Sequence, residues 1–581
     1  MTSRTPQFDA ALDDYFSKLE LDAHGGQWRV CRFSGERFPV LAEDVAFYRK
    51  VRVPLPTLSP EERIRRKAAY FNNYNLFKVT SAHSGKPIVA AYDPNTPYKV
   101  FEHRAWFSDE WDPLAFGRPY DGTTPLFGQL RALQLAVPRP NLITDVTNVR
   151  SEYTNTSTNL KDSYFAFSTL AGENLYYFDC CDGSKDCVDC ESVWGCTECY
   201  RCQLDYACYQ CLACEDCRDC IDSRFLFDCR NCTSCFMCAN LRHKKFCFMG
   251  EQLSKEEYAA RMAAVNIGDY TTFARLVEQY VAMKKSAVRR PDNNFKVTNV
   301  SGDFIDNSKN CRGGFYLFNC ENVHYSFGLA DYRDCYDIFG GAGGELCYEY
   351  AGISTRENFD VRFSAQVNQC RDVEYCDLCY NCSNCFGCIG LRNKKFCVLN
   401  RQCTEEEYWP LVDRMKTAML AAGEYGEFFP PESLPTPYRI SFTTAYDGYL
   451  DFENATRYGY DTREIPNLTA RPDGEVIATT DLPLDIRDVD DSILEKAIHD
   501  TVNDRYFKLT PYELTFYRKH GIPIPRVYPL GRLAEFRKRY TLRLRFYDRT
   551  CPTCSTQFRS VYDPKEYPTV YCESCYNTKV V

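Results

Sequence analysis

The apolar and polar positions in the middle of the chain follow a period of three, marked by cysteine. From Cys181 to Cys247, sixteen cysteines fall in one triplet frame, and a second cluster keeps such frames over 311–347 and 370–403. A helix would spread these positions around its whole surface, because successive residues turn by about 100°. A flat strand would send residues three apart to opposite faces. Short strands joined by corners can direct every third residue inward, so the pattern predicts strands and corners.

A longer repeat overlies the triplets. Cysteine recurs after seven triplets at Cys187, Cys208 and Cys229, and the same spacing relates Cys190, Cys211 and Cys232. A fixed period of this size is typical of a solenoid, in which each turn packs on its neighbours. The short segments between the cysteines are rich in aromatic residues, as expected of strands. We therefore predict a β-solenoid with about 21 residues per turn.

The chain contains two internal duplications. The cysteine-rich segment 227–258 recurs at 378–408, and 146–159 resembles 297–310. Each cysteine-rich segment ends with the spacing of a helix capping box, Ser254 with Glu257 and Thr404 with Glu407. The residues at 269–287 then continue as a helical spacer. The outer flanks also match each other, 38–63 with 507–532, so a similar module brackets the middle at both ends.

These repeats define the predicted fold class, which is mainly β with helical segments. Two tandem cysteine-ladder β-solenoid units are flanked by zinc-ribbon-like modules. The predicted segments are an N-terminal ribbon-like module at 1–130 with its metal ligands largely lost, a first cysteine-rich β-solenoid at 145–250, a helical spacer at 251–295, a second cysteine-rich β-solenoid at 296–402, a helical segment at 403–430, and a C-terminal zinc-ribbon module at 431–581.

The strongest candidate site lies near the C-terminus. Cys551 and Cys554 form one CxxC knuckle, and Cys572 and Cys575 form another a short distance along the chain. Two CxxC knuckles at such a separation are typical of a closed tetrahedral zinc site. In the N-terminal copy we align Ala82 and Gly85 with the first pair and Glu102 with Cys572. We therefore predict no metal there.

The triplet-spaced cysteines, named here the cysteine ladder, are the second group of candidate metal ligands. On a turn of seven triplets, Cys187, Cys190, Cys208 and Cys211 would surround one ion, and Cys208, Cys211, Cys229 and Cys232 the next, giving a row of bridged ions. Cys196, Cys199, Cys217 and Cys220 could form a second row. The full set of predicted ladder ligands is Cys187, Cys190, Cys196, Cys199, Cys208, Cys211, Cys214, Cys217, Cys220, Cys229, Cys232, Cys235, Cys238, Cys376, Cys379, Cys382, Cys385 and Cys388.

The spacing leaves three chemical states of the ladder open. Sulfur ligands suit several zinc ions, iron–sulfur centres or copper(I), of which we favour zinc. Alternatively, reduced thiols could simply pack as small apolar groups. Disulfides become the expectation only if the protein is exported.

The composition limits which cellular compartment and which classes of binding partner we expect. The chain of 581 residues has 34 cysteines, 7 histidines and a net charge of −9. It lacks both an apolar run long enough to span a membrane and a secretory start, so we expect a cytoplasmic protein. The acidic balance argues against nucleic acid as a partner, and we interpret the basic runs 63–67 and 536–545 as solvated faces. A protein partner is not indicated, and without a catalytic constellation we expect no enzyme.

Several motifs resemble a known family. They are EDVAFYRKVRVPLP, NTPYKVF, LRNKKFCVLNRQCTEEEY, and FYRKHGIPIPR with the terminal CPTC and CESC. In these motifs the chain resembles the cysteine-rich zinc-ribbon/β-solenoid proteins of candidate-phyla (ultrasmall) bacteria. The resemblance implies a ribbon module, a cysteine-ladder middle and a second ribbon module. In the family pattern the N-terminal module carries cysteine knuckles, where this chain has Ser34, Ser59 and Glu62.

Three functions remain in competition at this point. The first is a metal-binding protein with zinc rows inside the ladder and a structural zinc ribbon. The second is an electron-transfer or redox protein with iron–sulfur or copper centres. The third is a scaffold whose ribbon modules bind nucleic acid or protein.

Overall fold

The computed structural model of the chain describes most of its length. The described residues are 3–72, 75–144, 147–151, 153–157, 159–161, 163, 167–169, 172–173, 179–182, 191–194, 208–352, 357–445, 450–465, 471–532 and 546–580. Helix and strand each account for 28% of the structure. The fold is therefore mixed α/β, and the prediction of a mainly β chain was wrong in its balance.

Two compact units make up the structure, and each combines segments that are distant in sequence. One unit contains the described residues of 1–142 and 292–465, and the other those of 143–291, 466–532 and 546–580. The N-terminal module thus belongs with the second cysteine-rich segment, and the C-terminal module with the first. The predicted division into six consecutive segments did not include this cross-pairing.

The second cysteine-rich segment (residues 293–402, the second coil) forms a ten-stranded sheet. Neighbouring strands follow one another in sequence order, and all pairs except the last are parallel. The strands are Thr298–Asp306, Lys309–Phe318, Glu321–His324, Phe327–Glu345, Tyr348–Ala351, Asn358–Arg362, Arg371–Glu374, Ser383–Phe386, Lys395–Val398 and Arg401–Gln402.

The register of this sheet fixes the length of one turn. Lys309 pairs with Glu321, and Glu321 in turn pairs with Arg333, so each partner lies four triplets further along the chain. The step is longer where Gly344 pairs with Asn358. The predicted turn of seven triplets was therefore wrong, although the triplet itself is the correct unit.

A backbone feature explains why four triplets close a turn. In the second coil almost every third residue has a left-handed φ, at the position just before the inward-facing side chain, as at Asn319, Gln369 and Asn381. Such residues turn the chain, and the parallel strand partner of a residue lies four of these positions further on. Asn and Asp tolerate this conformation better than other non-glycine residues, which explains the frequent Asp-Cys and Asn-Cys pairs in the sequence.

The first cysteine-rich segment (residues 143–252, the first coil) has the same register where it is described. Asp179 pairs with Glu191, and Arg224 pairs with Phe236, again in parallel and four triplets apart. Its strands are Asn155–Ser157, Leu160–Lys161, Phe167–Thr169, Gly172–Glu173, Asp179–Asp182, Glu191–Trp194, Arg224–Phe227, Phe236–Ala239, Cys247–Phe248 and Glu251–Gln252.

Helices follow each coil as predicted. Ser254 and Thr404 cap the helices Lys255–Ala263 and Glu405–Ala422, and both capping boxes are formed, which confirms these predictions. The spacer helix is Tyr270–Ser286. The remaining α-helices of the described residues are Pro6–Ser17, Ala42–Lys50, Pro60–Ala68, His103–Phe107, Leu126–Ala136, Phe442–Ala445, Phe452–Arg457, Pro511–His520 and Glu573–Val580.

Buried ion pairs hold the N-terminal module against the second coil. Arg139 Nη1 lies 2.8 Å from Asp377 Oδ2, and both side chains are at most 1% exposed. In the helix Pro60–Ala68, Lys67 Nζ lies 2.9 Å from Glu349 Oε2, again with both side chains buried. The basic run 63–67 therefore belongs to the interior, and its interpretation as a solvated face was wrong. The other basic run, 536–545, lies outside the described residues.

Candidate metal centre

Among the described residues of the two flanking modules, four short antiparallel hairpins have the same construction, and we call the loop of each a knuckle. The strand pairs are Gln27–Val30 with Arg37–Val40, Phe77–Thr80 with Pro87–Ala90, Ala497–Asp500 with Arg505–Phe507, and Tyr547–Thr550 with Gln557–Ser560. In each knuckle the fifth residue has a left-handed φ; these residues are Gly35, Gly85, Asp504 and Ser555. The first residue of each knuckle is Cys31, Ser81, Asp500 or Cys551.

The C-terminal knuckle completes a cluster of four thiols. The sulfurs of Cys551, Cys554, Cys572 and Cys575 all lie within 4.8 Å of one another. The Sγ atoms of Cys554 and Cys572 are 3.5 Å apart. A tetrahedral ion with bonds of about 2.3 Å places its sulfur ligands about 3.8 Å apart, so the cluster fits a metal ion. The structure thus brings together the four residues that the sequence predicted.

Two elements supply the four ligands. Cys551 directly follows the strand Tyr547–Thr550, while Cys572 precedes and Cys575 lies in the first turn of the helix Glu573–Val580. A helix N-terminus favours negative charge and so stabilises thiolates. Burial raises the pKa of Cys551, but backbone N–H groups, first that of Cys572, lower it to about 6.

The centre is anchored to the first coil. Tyr576, one residue after the last ligand, donates a hydrogen bond to Asp228 and accepts one of 2.7 Å from Arg242. The Tyr571 amide, just before the third ligand, donates to the carbonyl of Arg289 at 2.9 Å. An ion at the centre would therefore also fix the surface that the module presents to the coil.

The second N-terminal knuckle has the same geometry without thiols. Ser81 and Ser84 occupy the positions of Cys551 and Cys554, which shifts the predicted alignment with Ala82 and Gly85 by one residue. Glu102 stands where Cys572 stands, directly before a helix, as predicted. Its carboxylate accepts hydrogen bonds from both serine hydroxyls, that of Ser81 at 2.6 Å. A hydrogen-bonded cluster thus replaces the ligand set.

The knuckle that begins at Asp500 is also closed by hydrogen bonds. The buried Asp500 carboxylate accepts from the amides of Val502, Asn503 and Tyr528 at 3.0–3.1 Å. Burial raises the pKa of this carboxyl, but the hydrogen bonds, first that of the Asn503 side chain, outweigh burial and lower it.

In the first knuckle of the chain, burial raises the pKa of Cys31. The Ser34 side chain and the Ser59 amide outweigh that effect, so the pKa is lowered. On the helix Pro60–Ala68, the Glu62 carboxylate forms an ion pair of 3.2 Å with the Arg65 guanidinium.

The described members of the predicted ladder-ligand set face the interiors of the coils and are buried, most of them completely, whereas Cys403, at the end of the triplet frame, is half-buried. Because four triplets complete a turn, Cys208 lies beside Cys220 on the next turn and not beside Cys229. The predicted set of Cys208 and Cys211 with Cys229 and Cys232 is therefore not brought together; each of the other two predicted sets includes residues outside the described ranges. Cys187, Cys190, Cys196 and Cys199 lie outside the described residues.

The ladder thiols differ in their pKa. The described cysteines from Cys208 to Cys403 are free thiols. Hydrogen bonding, first with the Cys208 side chain, lowers the pKa of Cys211 to about 5. Burial raises the pKa of Cys238 to about 11 and that of Cys320 to about 12. Without a metal, both groups are therefore protonated at neutral pH. Metal binding by the predicted ladder ligands remains a prediction.

Comparison with protein-family models and with curated proteins gives no match for this chain. Among the described residues, none of the helices combines the length and the apolar character needed to cross a bilayer.

Proposed function

We propose that the protein binds zinc and uses it to hold a ribbon-like module in place. The observation that carries this proposal is the approach of four sulfurs, those of Cys551, Cys554, Cys572 and Cys575, to within 4.8 Å of one another. A closed set of four thiolates leaves no position for a substrate, which is typical of structural and not of catalytic zinc. The role we infer is therefore structural.

Zinc is the ion that this donor set favours. Four thiolates in tetrahedral arrangement suit zinc or iron, whereas hard cations such as magnesium and calcium prefer oxygen. The ion would supply folding energy to a short terminal segment that has few buried apolar residues of its own. The resemblance to the cysteine-rich ribbon and solenoid proteins is part of the same proposal.

We further propose that the two coils are β-solenoids that serve as rigid supports for the modules. The recurring register of four triplets and the inward-facing cysteines favour this interpretation. The buried hydrogen bond of Tyr576 to Asp228 supports it for the C-terminal module. A row of several ions inside the coils stays a hypothesis, to be tested by counting metals.

Elemental analysis of the full chain, purified anaerobically with a thiol reductant, tests the proposal. The wild type should contain bound zinc, and Cys554→Ser/Cys575→Ser should contain one ion less per chain. Cys403→Ser removes a half-buried thiol outside the cluster and should leave the zinc content unchanged. Equal zinc content in wild type and double variant would refute the proposal.

A further inference from the structure

The first coil contains a ring of four buried thiols. Cys217 and Cys220 lie on one turn, and Cys229 and Cys232 lie above them on the next turn. All four side chains are fully buried. Beside the ring, the backbones of the two turns are joined by a parallel β-bridge between Arg218 and Arg230.

The register places the four thiols side by side. Because Arg218 pairs with Arg230, Cys217 lies beside Cys229 and Cys220 beside Cys232 on the neighbouring turn. Electrostatic interactions join the four thiols and continue to Cys214 and Cys235. No three of the four sulfurs all lie within 4.8 Å of one another, so they must move closer to surround one ion.

The backbone holds the four side chains of the ring in one common orientation. Each thiol donates a hydrogen bond to the backbone carbonyl two residues before it, at 3.3–3.5 Å. The two CxxC pairs therefore present their sulfurs to the interior in the same way on both turns.

The second coil offers a natural comparison. The internal duplication, which aligns 227–258 with 378–408, places Val367, Cys370, Cys379 and Cys382 at the four ring positions. The three thiols keep their arrangement, because Asn368 pairs with Tyr380 beside them as Arg218 pairs with Arg230. Val367 is 1% exposed, so the interior of the coil accommodates valine at this corner. The second coil therefore has the same ring with one ligand missing.

We propose that Cys217, Cys220, Cys229 and Cys232 form a second centre for a soft divalent metal ion such as zinc, and that Val367 removes this centre from the second coil. The proposal extends the proposed zinc-binding function to a site inside the coil. Two CxxC pairs on neighbouring turns supply the four ligands, as two knuckles do in a ribbon.

The chemistry of binding is a proton-coupled ligation without electron transfer. Four thiols lose their protons to solvent, four metal–sulfur bonds form, and the centre carries a net charge of about −2 with a divalent ion. The ion draws the four sulfurs together, which puckers the ring into a tetrahedron. Side-chain rotation can bring the sulfurs together, because the two backbone segments that carry them are already paired.

The experiment compares zinc content per chain, by elemental analysis, in four full-length proteins prepared without oxygen. These are the wild type, Cys217→Val, Cys554→Ser/Cys575→Ser and the combination of all three substitutions. We expect Cys217→Val to lose one ion, the double variant to lose one, and the combined variant to lose two. Cobalt(II) substitution adds a readout of geometry, since each tetrahedral thiolate site contributes its own visible absorption.

The outcomes separate this inference from the proposed function. If Cys217→Val keeps the full zinc content while the double variant loses one ion, the coil centre is refuted and the ribbon centre stands. If Cys217→Val loses one ion while the double variant keeps the full zinc content, the ribbon centre is refuted and the coil centre stands. If Cys217→Val fails to fold, Val367→Cys decides the question. Completing the ring in the second coil should add one ion, and an unchanged zinc content would overturn the proposal.

Discussion

Cys551 and Ser81 occupy the same position in two hairpins of the same construction. The amide of each donates a hydrogen bond of 2.9 Å to the carbonyl of the residue five positions on, Thr556 and Lys86 respectively. In both hairpins the side chain of the first residue faces a second segment that begins a helix. One fold element is thus closed by four thiols in one copy and by two hydroxyls and a carboxylate in the other.

This equivalence predicts that a metal centre can be restored in the N-terminal module. Ser81→Cys/Ser84→Cys/Glu102→Cys/Ala105→Cys places a thiol at each of the four ligand positions. Because the hairpin and the following helix have the same arrangement as in the C-terminal module, the variant should bind one additional zinc ion. Elemental analysis of the full chain measures this gain.

The control for the restored centre lacks only the last ligand. Ser81→Cys/Ser84→Cys/Glu102→Cys keeps Ala105 and should bind the added ion much more weakly. Equal zinc contents in the quadruple variant and the wild type would contradict the structural equivalence of the two knuckles.

Removal of zinc should loosen the C-terminal module selectively. With a chelator and a reductant present, we expect trypsin to cleave after Arg559 and Lys565 at least several times faster, because the ion no longer ties the hairpin to the terminal helix. Mass spectrometry of the fragments gives the rates. Cleavage within 3–72 should not change, and Cys554→Ser/Cys575→Ser should be cut rapidly without chelator. A rate that does not respond to the chelator would exclude a structural ion.

Asp500 should make the stability of its knuckle depend on pH. Its pKa is lower in the folded protein than the unfolded value of about 3.9. The stabilisation is therefore fully present above that value and is lost as the pH falls through the folded pKa. Asp500→Asn should cost about 1–3 kcal/mol at pH 7, since Asn keeps only one acceptor oxygen and turns an NH₂ group toward the donors that faced the other, and this cost should shrink toward pH 3. Native-state hydrogen exchange of Ala497–Asp500 measures both values.

A surface carboxylate provides the control for Asp500. Asp491 is 78% exposed in its pair with Arg518, so Asp491→Asn should change the opening free energy by less than about 1 kcal/mol at either pH. If Asp500→Asn were equally costly at pH 3 and pH 7, the ionised carboxylate would not be the stabilising group.

The buried pair of Arg139 and Asp377 should matter far more than a surface pair of the same unit. Asp377→Ala leaves the buried guanidinium without its carboxylate and should cost about 3–5 kcal/mol. Lys50→Ala removes an exposed partner of Asp334 and should cost at most about 1 kcal/mol. Hydrogen exchange of the helix Pro60–Ala68 reports both changes. Similar losses in the two variants would show that the buried pair does not hold the module on the coil.

The features that could be predicted from the sequence are local. The C-terminal ligands, the two capping boxes and the triplet frame each depend on residues close together in the chain, so their spacing carries the information. The number of residues in one turn cannot be predicted from such local spacing. A triplet frame is compatible with any multiple of three, and the recurrence of Cys187, Cys208 and Cys229 reflects where cysteine is used among equivalent inward positions. The Asp and Asn residues before the cysteines mark the corners, but only the strand register shows that four of them make one turn.

Non-local packing explains the other differences. The N-terminal module is paired with the coil that is further from it in the sequence, through Arg139 and Asp377. The run at 63–67 was interpreted as a solvated face because its buried partners, Asp337, Glu349 and Glu427, are scattered along the chain. Similarly, serine and glutamate carry no recognisable ligand pattern, so the second N-terminal knuckle was misaligned by one residue.

X-ray absorption at the zinc edge, on the full-length protein purified anaerobically, tests the central claim most directly. We expect zinc in the wild-type sample, with four sulfur ligands at about 2.3 Å. In Cys554→Ser/Cys575→Ser, the signal of this sulfur-only first shell should decrease in proportion to the zinc that the variant loses. Nitrogen or oxygen ligands in the first shell, or a protein that retains no zinc, would contradict it.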